Sequence, residues 1–204
     1  MPEHESGRMR INIRDNFFSR ASKKDIEDLR DNFLTIVDGG DEHKVHSFLN
    51  ANRQILRAIM PWHESVHPEY RLGAEHRADF VLIGEQPNIG ALEVSLIELE
   101  SPKSRLFTKA GDPTKELTHA IRQVRDWRAW IRKNRPYFVQ LLPNHLQFHQ
   151  NWEPIENFFI IIGRRGELTR CQKESLRAVV QEDGHSVMTY DTLIERFCRL
   201  AELI

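Results

Sequence analysis

The chain has 204 residues, 40% of them hydrophobic, and a formal net charge of -1. This length and composition allow one sizeable core. No run approaches the roughly 18 apolar residues that a bilayer span requires, and the N-terminus is too charged for a signal peptide. We therefore expect a soluble, cytoplasmic protein with no membrane partner. Its two cysteines, Cys171 and Cys198, lack metal-ligand spacing, so no disulfide is expected.

Positive charge is concentrated in one part of the chain. Residues 103–135 contain ten Lys or Arg and three Asp or Glu, which gives this segment a formal charge of +7 and the remainder about -8. Such a run is typical either of a solvated helix face or of a nucleic-acid-binding surface. Composition alone leaves both explanations open.

The first elements of the chain are mostly helical. Residues 8–13 alternate in polarity and could form a short strand, whereas residues 19–33 are typical of a helix. Asp41 can cap a further helix over residues 42–59, which Pro61 ends. This order places helices ahead of the first long strands.

Two strands and a long helix follow. The apolar runs at 78–85 and 92–100 predict strands separated by a turn, and Pro113 starts a helix that extends to residue 134. One face of this helix is apolar, with Leu117, Ile121, Val124 and Ile131.

The second half of the chain alternates between strand and helix patterns. Residues 157–163 read as a buried strand, residues 168–184 as a helix that ends at Gly184, and residues 185–190 as a strand. A last helix begins at Asp191. This alternation predicts an α/β fold with at least partly parallel pairing.

Acidic residues end the second strand of the 78–100 region. Glu98 and Glu100 point to one face because side chains alternate along a strand, and Asp79 on the preceding strand brings a third carboxylate near them. Converging carboxylates are how proteins hold Mg²⁺ or Mn²⁺. The alternative explanation is an exposed strand end beside Lys103 and Arg105.

Six segments, taken together, resemble the Shedu family of anti-phage defence proteins, whose nuclease domain belongs to the PD-(D/E)XK superfamily. They are EHKVHSFLNANRQIL, HRADFVLI, LIELESPK, AIRQVRDWRAWI, FFIIIGRRGEL and VMTYDTL. The resemblance implies a restriction-endonuclease-like core, with a mixed central sheet flanked by helices, over residues 39–204 after an N-terminal extension of residues 1–38. It also implies Mg²⁺- or Mn²⁺-dependent hydrolysis of DNA, with single strands or RNA as other substrates, and a homo-oligomer.

The resemblance also assigns roles to individual residues. Asp79 matches the first acid of the superfamily, Glu98 the acid of its E-x-K signature, Gln123 a glutamine that faces the site and Glu42 an acid early in the first helix. Glu100 stands where the family usually has lysine. The implied metal ligands are Asp79, Glu98, the Leu99 carbonyl, Glu100 and Glu42.

The departure at Glu100 leaves two outcomes open, because a glutamate cannot supply the positive charge of a lysine. Glu100 either binds a second metal or acts as general base, or the site has lost its activity and the domain is a nucleic-acid-binding or regulatory module. Lys103 could return the amine to the site only if the chain turns at Pro102.

The basic segment is expected to hold the substrate backbone. The candidate phosphate contacts are Lys109, Lys115, Arg122, Arg125, Arg128 and Arg132. Because successive helix residues are about 100° apart, only part of this set can share the face of Gln123.

Other motifs are given structural interpretations. His63-Glu64-Ser65-Val66-His67 has the form of an H-E-x-x-H zinc-protease motif, but that motif requires a continuous helix, and Pro68 disfavours helical geometry at His67. We interpret it as a chance match. We also interpret His43 and His46 as surface or core residues.

Overall fold

The computed structural model describes residues 20–86, 91–143 and 154–202. Its centre is a five-stranded sheet in the order β1-β2-β3-β4-β5. The strands β1 to β5 are Ser65–Leu72, His76–Gln86, Ala91–Leu99, Ile155–Ile161 and Ser186–Met188. The first three strands pair antiparallel, whereas β3 pairs with β4, and β4 with β5, in parallel. The prediction of an α/β fold with a mixed sheet is confirmed, and its assignment to the PD-(D/E)XK core stays a prediction.

Helices cover both faces of this sheet. The α-helices α1 to α6 are Lys23–Gly39, Glu42–Ala51, Lys115–Lys133, Arg135–Leu141, Arg170–Asp183 and Tyr190–Glu202. Two 3₁₀ helices occupy Arg53–Ala58 and Arg165–Glu167. Among the described residues, no helix combines the length and apolar character that a membrane span requires.

The alternation of side chains along β3 divides the core into two clusters. Leu96 lies in one cluster with Val124 and Trp127 of α3, whereas Ile97 lies in the other with Phe197 of α6. Burial of each such side chain contributes about 1.5–3 kcal/mol. The packing of α3 against one face therefore determines which β3 side chains it can reach.

Helix α1 packs into the second cluster. Phe33 and Val37 of α1 are buried there, and Arg164, which follows β4, forms ion pairs with both Asp38 and Asp191. The described part of the N-terminal extension therefore contacts the rest of the fold, and the boundary at residue 39 stays a prediction.

Strand β1 was not expected from the sequence, because Pro68 lies in its middle. Pro68 nevertheless pairs with Phe80, which is compatible with its missing N–H because β1 is an edge strand. The strand expected at residues 8–13 lies outside the described residues.

Several helix boundaries differ from the predicted ones. Asp41 caps α2 as expected, with its side chain accepting a hydrogen bond from Lys44 N, but the predicted helix over 42–59 divides into α2 and a 3₁₀ helix. Helix α3 is capped by Thr114 rather than started by Pro113. Asp191 lies in the first turn of α6 and accepts hydrogen bonds from Arg164 and Arg165.

Candidate active site

The site begins where β2 and β3 lie side by side. Phe80 pairs with Ile97, so Asp79 and Glu98 are neighbours one step further along the same register. Asp79 Oδ2 accepts a hydrogen bond from Leu99 N at 2.7 Å. This bond holds the Asp79 carboxylate against the end of β3. Strand β2 begins at His76, two residues before the predicted start at residue 78, so Asp79 is its fourth residue.

Glu98 is buried on the face of the sheet that α3 covers. It is 7% exposed and accepts a hydrogen bond from the side-chain amide of Gln123. Burial, and then the charges of Asp79 and Glu100, raise the pKa of Glu98 to about 9. At neutral pH this carboxyl therefore holds a proton unless a cation compensates its charge.

Glu100 follows β3 and is fixed by its backbone. Its N–H donates to the Ile161 carbonyl at 2.9 Å, and its carbonyl accepts from the buried Tyr190 hydroxyl at 2.8 Å. Its carboxylate Oε1 lies 3.6 Å from Nδ1 of His119 on α3. Burial and the charge of Glu42 raise the pKa of Glu100, while the neighbouring His119 opposes that shift.

Glu42 brings a fourth carboxylate from the first turn of α2. Its side chain accepts a hydrogen bond from the Ser101 backbone N–H. Partial burial and the charge of Asp79 raise the pKa of Glu42. The carboxylates of Glu42, Asp79, Glu98 and Glu100 are thus close enough to affect one another's ionisation.

Two further side chains extend the site beyond the residues expected from the sequence. His46 lies one turn after Glu42 and stacks on Phe80, and its Nε2 atom is 3.3 Å from Glu69 Oε1. One ligand atom each from His46, Glu69 and Asp79 lie within 4.8 Å of one another. The i, i+4 spacing of Glu42 and His46 was the available signal, but nothing in the sequence pairs Glu69 with Asp79.

Glu69 has an unusual backbone conformation at this position. Its φ of 51° lies in the left-handed region, which costs a residue with a side chain roughly 1–2 kcal/mol. Its carboxylate also forms an ion pair with Arg77. The Arg77 guanidinium therefore neutralises part of the charge of Glu69.

The donor set fits a divalent cation. Glu42, Asp79, Glu98 and Glu100 have raised pKa values because they are buried and lie near other carboxylates, and hard carboxylate oxygens are the ligands that Mg²⁺ and Mn²⁺ take. Among the described residues, however, the side chains whose ligand atoms lie within 4.8 Å of one another are His46, Glu69 and Asp79. Gln123 Oε1 is buried and has no hydrogen-bond partner among the described residues. A water molecule bound at this end of the site would satisfy that atom.

Lys103 follows β3, and its side chain packs over Gly40. The chain does turn after β3, with Ser104 N donating to Ser101 O at 3.0 Å, but the Lys103 side chain lies so close to Gly40 that it fills the space of an added Cβ there. In the parts of the chain that the structure describes, no ion pair joins the Lys103 amine to the four acids. A catalytic role for Lys103 stays a prediction without geometric support.

The basic residues of α3 divide between two flanks. Lys115 and Arg122 are exposed. Measured around the helix axis, they lie about 80° and about 100° from Gln123, on the same side as His119. Arg128 and Arg132 lie about 140° and about 180° from Gln123. The remaining candidates, Lys109 and Arg125, are exposed.

Arg128 and Arg132 line a separate cavity. Arg128 stacks over the Phe158 ring at 4.8 Å and donates to Gly184 O at 2.9 Å, which joins α3 to the loop before β5. The cavity beside them has a volume of ≈ 490 Å³. These two arginines therefore do not share the face that meets the acids.

The H-E-x-x-H segment has the wrong secondary structure for a zinc protease. Ser65 begins β1, and His67 lies within that strand. His63 precedes it and is buried, with Nδ1 2.6 Å from Met60 O. The interpretation as a chance match is thus supported.

The chain was compared with known protein families. The family described as "Shedu protein SduA, C-terminal" matches residues 39–194. This range contains all six of the segments quoted above. No curated protein matches the sequence.

Proposed function

The chain belongs to the Shedu family, and we propose that it is a metal-dependent nuclease that hydrolyses phosphodiester bonds of DNA in anti-phage defence. The observation that carries the proposal is the meeting of Asp79, Glu98, Glu100 and Glu42 beside Gln123. These are the residues that the family resemblance assigns to a nuclease site, and they come from separate elements of the fold.

The metal ligands in this proposal are Asp79, Glu98, the Leu99 carbonyl and Glu42. When bound there, Mg²⁺ or Mn²⁺ stabilises negative charge on the phosphate oxygens and lowers the pKa of a water molecule. The protein supplies the fixed positions: Leu99 N holds Asp79, Ser101 N holds Glu42 and Gln123 holds Glu98. Glu100 is proposed to act in proton transfer rather than as a ligand.

Gln123 has two functions in this arrangement. Its NH₂ group donates to Glu98, and its buried Oε1 accepts a hydrogen bond from a water molecule. Such a bond orients one lone pair of the water toward the phosphate. On the outer side of α3, Lys115 and Arg122 are the proposed contacts to the substrate backbone.

A nuclease assay on linear, nicked and single-stranded DNA and on RNA tests the proposal. We expect cleavage with Mg²⁺ or Mn²⁺ that falls to background in Asp79→Ala and Glu98→Ala. Glu85→Ala is the matched control, because Glu85 is an exposed acid of β2 outside the site. Cleavage that survives both site substitutions would contradict the proposal.

The second candidate is a nuclease-fold module that binds nucleic acid without cleaving it. Two observations favour it: Glu100 replaces the usual lysine, and the Lys103 side chain lies over Gly40. This candidate predicts binding in Ca²⁺ and no cleavage in Mg²⁺ or Mn²⁺ on every substrate of the panel. The wild-type protein alone therefore separates the two functions.

A further inference from the structure

Helix α3 presents two side chains to the two acids at the end of β3. Gln123 contacts Glu98, and His119 contacts Glu100. Residues 119 and 123 are separated by about 6 Å along a helix, and residues 98 and 100 by about 6.8 Å along a strand. The two spacings match, so each acid receives one partner from consecutive turns of α3.

The His119 imidazole lies beside Glu100 and is accessible to solvent. Nδ1 lies 3.6 Å from Glu100 Oε1, and the backbone of Glu100 is fixed by Ile161 and Tyr190. The His119 side chain is 51% exposed, whereas that of Glu100 is 15% exposed. A substrate or water molecule can therefore reach the ring while its carboxylate partner stays in place.

Stability does not explain this pair. Contacts between a carboxylate and a half-exposed cation or imidazole contribute little to folding, and α3 is already anchored by Leu117, Val124 and Trp127. Glu100 stands where the family resemblance implies a lysine, and His119 lies beside it. His119 thus supplies a basic nitrogen where the sequence alone shows only an additional acid.

We propose that His119 is a catalytic residue of this site and acts as the general base for the attacking water, with Glu100 as its positioning residue. The inference rests on the proposed nuclease function. Glu100 Oε1 lies on the Nδ1 side of the ring, and the tautomer that carries its proton on Nδ1 has a lone pair on Nε2, at the opposite edge. This is the arrangement of a carboxylate-oriented histidine base.

The reaction step balances without a further reactant. Nε2 removes one proton from water as the water oxygen forms a bond to phosphorus and the bond from phosphorus to the leaving sugar oxygen breaks. The proton then passes from the imidazole to the leaving oxygen or to solvent. No oxidant or reductant is required.

Substitution of His119 by alanine tests the proposal. Alanine favours the helix, and we expect the folded protein to bind DNA in Ca²⁺ as wild type does, with an unchanged KM and a kcat lower by about 10²–10⁴-fold. Added imidazole should restore part of the kcat, because the vacated position opens to solvent. His43→Ala, which removes an exposed histidine, is the control. Its kcat should equal that of wild type and should not change when imidazole is added.

A double-mutant cycle checks the role of Glu100. If Glu100 acts through His119, the double variant His119→Ala/Glu100→Ala should lose no more kcat than the more impaired single variant. If the losses of kcat in the two single variants add up in the double variant, the two residues act independently and the proposed pairing is wrong.

The outcomes distinguish this inference from the proposed function. A wild type that cleaves and a His119→Ala variant that cleaves equally fast would overturn the inference alone. A His119→Ala variant with a raised KM, whose activity imidazole does not restore, would also overturn the inference. Such a result would show that His119 binds the substrate. A wild type that cleaves nothing would refute the nuclease function and the inference together.

Discussion

Glu98 is the acid of the site whose ionisation depends most on its surroundings. It lies 7% exposed between two other carboxylates, and burial is the first cause of its pKa of about 9. In the metal-free protein, Glu98 is therefore protonated over most of the physiological range, and cation binding releases that proton.

This shift predicts a pH dependence of stability. The pKa of Glu98 rises from 4.5 to about 9 on folding, so its contribution to stability is fully present below pH 4.5 and is lost as the pH rises toward about 9. The melting temperature of the metal-free wild type should fall between about pH 6 and about pH 9. The side chain of Glu98→Gln cannot ionise, so the melting temperature of this variant should fall less over the same pH range.

Thermal melts of both proteins in chelator, across that pH range, measure the difference. Glu85→Gln removes an exposed acid of the same strand pair and should retain the wild-type slope. Parallel slopes for wild type and Glu98→Gln would show that Glu98 titrates normally.

At the scale of residues, the sequence identifies acids better than their partners. Asp79, Glu98 and Glu42 follow from the family resemblance, and strand periodicity places Glu100 on the side of Glu98. His119 was not identified, because its contact with Glu100 depends on how α3 lies across β3. Pairings of this kind are set by tertiary packing, which short motifs do not encode.

Helix α3 has different chemistry on its two flanks. The flank of His119 and Gln123 meets the acids, whereas Arg128 on the other flank packs on Phe158 and Gly184. A charge of +7 spread over the segment therefore does not form one continuous surface. Only the basic residues near the first flank are positioned beside the site.

This division predicts a difference in salt dependence between two arginines. Arg122→Ala should reduce the log-log slope of DNA affinity against salt by about 0.9 on duplex DNA or about 0.7 on single strands, as expected for one lost phosphate contact. Arg132→Ala removes the same charge from the opposite flank and should leave the slope unchanged. Binding in Ca²⁺ over a salt series provides the measurement, and equal slopes for the two variants would contradict the assignment.

At the scale of elements, a strong apolar periodicity predicts helices and strands reliably. An element that contains a proline is not predicted in this way. Helices α3 and α5 and strands β3 and β4 follow from their apolar patterns and from the Gly184 cap. Strand β1 does not, because an internal proline argues against a strand unless its position at the sheet edge is known. Strand order, likewise, is not contained in local patterns.

At the scale of the molecule, the site joins elements that are distant in sequence. Glu42 comes from α2, Asp79 from β2, Glu98 and Glu100 from the end of β3, and Gln123 from α3. Folding brings the four carboxylates together at a cost in repulsion and desolvation. A cation that binds only this arrangement stabilises the folded state by its binding free energy.

The central claim is that Asp79, Glu98 and Glu42, with the Leu99 carbonyl, form one divalent-cation site, and calorimetric titration with Mn²⁺ tests it most directly. We predict saturable binding to wild type, loss of binding in Glu98→Gln and wild-type binding in Glu85→Gln. Equal binding to Glu98→Gln and wild type, or no binding to wild type, would contradict the account.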